Sequence, residues 1–73
     1  MVVCFDFEDS HNVTLECISA NLKLANACYQ DCIETSELVE LIDVNDEFYN
    51  SFCFYWGQEV PGVKILKSNN RNV

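Results

Sequence analysis

Cys28 and Cys32 stand four residues apart, a spacing that turns both side chains toward one ligand if the segment is helical. Thiolates are soft ligands, so the chemistry open to the pair is capture of a thiophilic metal. A structural zinc site needs four nitrogen or sulfur ligands. His11 is the only histidine, and no Cys-x-x-Cys pair occurs. Both cysteines also fall on or beside an apolar stripe. They are therefore expected to pack as small core hydrophobes, with no metal and no cofactor. A Cys–His nucleophile and base would need a third orienting group and a shaped cleft, and His11 lies in the polar turn cluster Glu8-Asp9-Ser10-His11-Asn12. Glu37 and Glu40 come nearest to an acid/base pair. On a solvent face nothing would split their pKa values. No catalytic residue is expected, and the chain reads as a non-enzyme.

The segment from Phe48 to Trp56 holds six of the nine aromatics. Aromatic platforms for single-stranded nucleic acid come with a positive groove that tracks the backbone. Here the neighbours are Asp43, Asp46, Glu47 and Glu59. Core, or a protein interface anchored by Tyr and Trp, is the better reading. Phe48, Tyr49, Phe52, Tyr55 and Trp56 are the candidate residues for such an interface.

Charge bounds the partners. Twelve carboxylates oppose four basic residues in a chain of 73, for a formal net charge of −8. All the acids lie from Asp6 to Glu59, and Lys23 is the sole base before Lys64. This disfavours direct contact with nucleic acid or an anionic membrane and suits a basic protein surface. At 49% hydrophobic residues the chain is too apolar for a disordered acidic tail. One small domain is expected over residues 1–67, with a frayed tail at 68–73. A domain of this size buries only roughly 60% of its unfolded surface, so a homodimer or a larger partner would help to complete it. The N-terminal run Met-Val-Val-Cys-Phe-Asp-Phe-Glu lacks the basic start of a signal peptide. The expectation is a cytoplasmic protein whose five cysteines stay reduced. The Asn12-Val13-Thr14 glycosylation match then carries no meaning. No uncharged run approaches the ~20 residues of a membrane span.

The elements that must position these residues follow from periodicity. Val2 to Phe7 is short, β-branched and aromatic, and reads as a strand. Leu15, Ile18, Leu22, Ala25, Tyr29 and Cys32 recur at helical spacing, which predicts a helix over residues 14–34 capped by Asn12 or Thr14; Val13-Thr14-Leu15 could instead open a second strand. Wound at ~100° per residue, Leu38, Leu41, Ile42, Phe48, Tyr49, Phe52 and Cys53 fall in one arc, predicting a second helix over residues 37–53 with a break near Asn45. Residues 52–56 read as extended, Gly57 to Gly62 as a turn, and Val63 to Leu66 as a closing strand. The fold expected is α+β in the order β-α-α-β-β, two amphipathic helices on a short antiparallel sheet. The alternative is all-α, with the second helix running on to Trp56.

In that arrangement Glu37, Glu40, Asp43 and Glu47 form an acidic spine, widened by Glu16, Asp31, Glu34 and Asp46. Ten helical steps cover roughly 15 Å at ~1.5 Å each, so a charge recurs about every 5 Å against ~3.4 Å along one DNA strand. In composition the chain resembles virus-encoded inhibitors of host nucleases and antiviral defence systems, which are short, acidic and without enzyme motifs. It matches no family residue by residue. The resulting expectation is a phage-type, anti-defence inhibitor that mimics nucleic-acid charge on a basic, nucleic-acid-binding protein. The alternative is a non-catalytic interaction subunit or homodimer whose acidic surface only keeps it soluble.

Overall fold

The computed structural model describes residues 1–7, 12–45 and 56–71. Strand β1 (Val2–Phe7) runs as expected. Strand β2 (Val13–Ser19), helix α1 (Leu22–Ile33), strand β3 (Leu38–Val44) and strand β4 (Val63–Asn70) follow. The strands form one antiparallel sheet in the order β2-β1-β3-β4. This is a small α+β domain. Its described elements run β-β-α-β-β, with one helix among the described residues, not the two expected.

The first half of the predicted 14–34 helix is strand β2. A bulge opposite Cys4 and Phe5 pairs Leu15 with Phe5 and Ile18 with Val3. Successive side chains on a strand alternate faces, so the extra residue brings Leu15 and Ile18, three apart, to one face. That spacing imitates a helical step. The helix begins only after Asn21, whose side chain accepts from the backbone N–H of Lys23 at 2.9 Å and of Leu24 at 3.4 Å. Asn21, rather than Asn12 or Thr14, is the cap.

The front half of the predicted 37–53 helix is strand β3. It lies between β1 and β4 and buries Val39, Leu41, Ile42 and Val44. A strand covered on both faces shows a nearly continuous apolar run without period-two alternation. That left helical winding as the apparent fit. The remainder of that segment, and the extended reading of 52–55, lie outside the described residues. β4 continues past Leu66, and Ser68, Asn69 and Asn70 pair with Glu40, Val39 and Leu38.

Alternation along β1 and β3 divides the core in two. Val2, Cys4, Val39 and Leu41 meet Ala25 and Tyr29 of α1. On the other face Val3, Phe5, Phe7, Ile42, Val44 and Val63 pack together, joined by Trp56 and Val60. Phe7 stands at the end of this second cluster with the Trp56 ring edge-on, centroids 5.6 Å apart.

Candidate functional site

Among the described residues the acidic spine does not form a single row. Strand geometry sends Glu40 and Asp43 to opposite faces of β3. Glu40 is only 2% exposed. Its Oε1 accepts the Gly57 N–H at 2.7 Å, and its cross-strand neighbours are Phe5 and Ser68. Burial pushes its carboxyl pKa up, and the Gly57 N–H partly opposes that. Glu40 is therefore part of the interior, not a partner-facing charge. Gly57 reaches it from a φ of 75°, a conformation that suits glycine. Asp43 is exposed, but it lies 3.6 Å from the Met1 amino group and pairs across the sheet with Lys64. Along β3 it is roughly 20 Å from Glu37 at the usual strand rise. Asp46 and Glu47 lie outside the described residues.

A different acidic group takes shape at the C-terminal end of α1. Asp31 sits in the last helical turn, Glu34 is the C-cap, and Glu37 leads into β3; all three are exposed. Asp6 of β1 joins them, its Oδ2 accepting from Ser36 Oγ at 2.6 Å. Glu16, the bulge residue of β2, and Asp6 are both close enough to Cys32 to raise its thiol pKa, after burial. Arg71 reaches this end too. Its Nη1 donates to the Glu34 carbonyl at 3.1 Å, and its backbone N–H donates to the Glu37 carbonyl at 2.8 Å. No basic side chain occupies the last turn of α1. A helix C-terminus carries partial negative charge and ordinarily attracts cations. Asp31 and Glu34 thus sit where the backbone itself repels them.

Of the aromatic interface candidates, Trp56 belongs to the protein's own core, against Phe7. Phe48, Tyr49, Phe52 and Tyr55 lie outside the described residues. Among the described residues the large apolar side chains left exposed are Met1; Leu15 and Ile18 on β2, at 46% and 41%; and Leu22 and Leu24 at the start of α1. Sequence periodicity had assigned Leu15, Ile18 and Leu22 to a buried stripe.

The cysteines converge, which the sequence did not foretell. Cys4 faces α1 from the middle of β1, and Cys17 is its partner across the β1–β2 pair. Cys28 and Cys32 come down from α1. The sulfurs of Cys4, Cys28 and Cys32 all lie within 4.8 Å of one another. Cys17 packs against the same cluster as Cys28 and Cys32. None of the four is disulfide-bonded. Burial raises every one of these thiol pKa values, and proximity to one another adds to the shift at Cys4, Cys17 and Cys28. The missing signal was register. With residues 13–19 read as strand, Cys17 falls opposite Cys4, whereas a helical reading separates them.

Between α1 and the β3–β4 side of the sheet runs an apolar groove of about 520 Å³, lined by Leu22, Lys23, Asn26, Leu41, Leu66 and Lys67. Lys67 is held there by Asn26 Oδ1 and by the face of the Tyr29 ring, 5.7 Å from its centroid. Among the described residues no helix is long and apolar enough to cross a membrane. Comparison with protein-family models, curated proteins and solved structures finds no match.

Proposed function

We propose that this protein is a small, non-catalytic inhibitor that docks its acidic helix end on a basic, nucleic-acid-binding protein. The partner class is a host nuclease or an antiviral defence complex, reached in the cytoplasm. The acidic group of Asp6, Glu16, Asp31, Glu34 and Glu37 replaces the helical spine as the docking surface. One observation carries the reading. Asp31 and Glu34 occupy the end of α1 where the helix dipole disfavours acids, at about 0.3–1 kcal/mol each. Charges that cost folding stability are better explained by a role outside the fold. Electrostatic attraction of this kind speeds encounter and excludes like-charged surfaces.

The test uses two baits, the wild-type chain and the Asp31→Lys/Glu34→Lys/Glu37→Lys variant. Proteins retained from a host lysate by the first, lost with the second, and eluted by duplex DNA should be nucleic-acid-binding proteins. If both baits hold the same proteins, or DNA elutes none of them, the acidic end is not the docking surface.

A second reading rests on strand β2. It has one paired neighbour among the described residues and shows Leu15 and Ile18 to solvent. An apolar edge strand invites a second strand, so β2-to-β2 pairing would give a homodimer with a merely solubilising charge. Sedimentation equilibrium decides. A dimer abolished by Leu15→Lys/Ile18→Lys supports this reading, and a monomer at high concentration removes it.

A further inference from the structure

Four of the five cysteines meet at one place between helix and sheet. Two come from facing positions on β1 and β2, and two from one side of α1. We infer that Cys4, Cys17, Cys28 and Cys32 form a four-thiolate site for a zinc ion that ties α1 to the β1–β2 hairpin.

The ligand type selects the metal class. Thiolates favour soft or borderline cations, and four sulfurs around one centre are a structural zinc set. The spacing is close to that needed. Tetrahedral Zn–S bonds of about 2.3 Å set neighbouring sulfurs roughly 3.8 Å apart. Three of the sulfurs already lie within 4.8 Å of one another. Cys17 stands opposite Cys4 on the neighbouring strand and packs against the same cluster as Cys28 and Cys32, which places it as the fourth ligand. Cys4 is fully buried, while Cys17, Cys28 and Cys32 keep partial exposure, so an ion has a way in. The ligands also stand on a strand pair and a helix, elements stiff enough to hold a coordination geometry.

The proton balance is explicit. Zinc replaces one proton on each of the four thiols, and all four protons leave to solvent. Burial favours the protonated form of each metal-free thiol, and Asp6 and Glu16 act in the same direction on Cys32. Tyr29 is the other titratable group against Cys4. Binding should therefore release protons and tighten as pH rises. The site stands on different residues from the proposed docking surface and does not depend on it.

The experiment titrates the reduced, metal-free full chain with Zn²⁺, and in parallel with Co²⁺ as a spectroscopic probe. Expected are one ion per chain by native mass spectrometry, a thiolate-to-cobalt charge-transfer band, proton release on binding, and a raised thermal midpoint. Excess Mg²⁺ or Ca²⁺ should displace nothing. Cys17→Ser and Cys32→Ser, both at partly exposed positions, should weaken zinc by more than the ~10–100-fold that loss of an outer-sphere partner causes. Cys53→Ser should bind as wild type. Absence of the charge-transfer band would overturn the inference even if the serine variants fail to fold. So would displacement by Ca²⁺, or serine variants that bind zinc as tightly as wild type.

Discussion

Replacing Glu40 with lysine separates an interior carboxylate from a surface one. On an exposed acidic stripe the change would alter binding and leave the fold alone. In the structure Glu40 is 2% exposed and its carboxylate holds the Gly57 N–H. Lysine removes the acceptor and sets a cation against an unpaired donor between β1 and β4. Uncompensated buried charge costs about 3–5 kcal/mol, in a domain whose whole stability is on the order of 5 kcal/mol. Urea unfolding followed by the single Trp56, which packs on Phe7, reads the loss. With a slope near 1 kcal/mol per molar, the midpoint should fall by about 3 M or the chain should arrive unfolded. Asp43→Lys, at a position 54% exposed, should cost no more than about 1 kcal/mol. Glu40→Gln keeps an oxygen for Gly57 and removes the charge. Because burial raises the Glu40 pKa, the folded chain takes up its proton at a higher pH than the unfolded one. Stability from this group therefore falls as pH rises from the ordinary carboxylate range through the raised value, and is level above it. The wild type should gain stability on acidification through that window relative to Glu40→Gln. If Glu40→Lys unfolds at the wild-type urea concentration, or both proteins share one pH profile, Glu40 is not buried and the β3 register is wrong.

Three further outcomes follow from the same structure. Phe7→Ala, at a position 2% exposed between Phe5 and Trp56, should cost about 3–5 kcal/mol in the same urea assay. Asn21→Ala removes the acceptor for the Lys23 and Leu24 N–H groups and should cost about 1 kcal/mol, with a small loss of helical circular dichroism. Asp31→Lys/Glu34→Lys should stabilise the fold by about 0.3–1 kcal/mol per site through the helix dipole, checked by thermal unfolding at low salt; a loss of stability would show that these acids serve the fold.

Sequence pattern reached some elements and missed others for identifiable reasons. β1 was legible because Val2 to Phe7 is bounded by a polar cluster and has strong β-formers. The turn at Gly62 and the start of β4 were legible from glycine and proline. β2 was hidden by its bulge, which gave Leu15 and Ile18 helical spacing. β3 was hidden by burial on both faces, which erased alternation. The end of β4 was hidden by Ser68, Asn69 and Asn70, polar residues that an edge strand tolerates. The acids were legible as composition but not as a surface. Asp31, Glu34 and Glu37 proved exposed together, whereas Glu40 was drawn inside by the register of β3. The thiol cluster was the least legible, because strand pairing and helix docking assemble it from residues up to 28 positions apart.

A salt and competition titration on a partner captured by the wild-type bait bears on the proposed function with the fewest intermediates. The purified partner is titrated with the wild-type chain and with Asp31→Lys/Glu34→Lys/Glu37→Lys, across a series of ionic strengths and with duplex DNA as competitor. Exposed charges are screened over ~8 Å at physiological ionic strength, so wild-type affinity should fall steeply with salt, and DNA should displace the chain from one shared site. The variant should bind weakly with a shallow salt dependence. Wild-type and variant affinities that coincide at every salt concentration, with DNA and chain bound together on the partner, would contradict docking through the acidic end of α1.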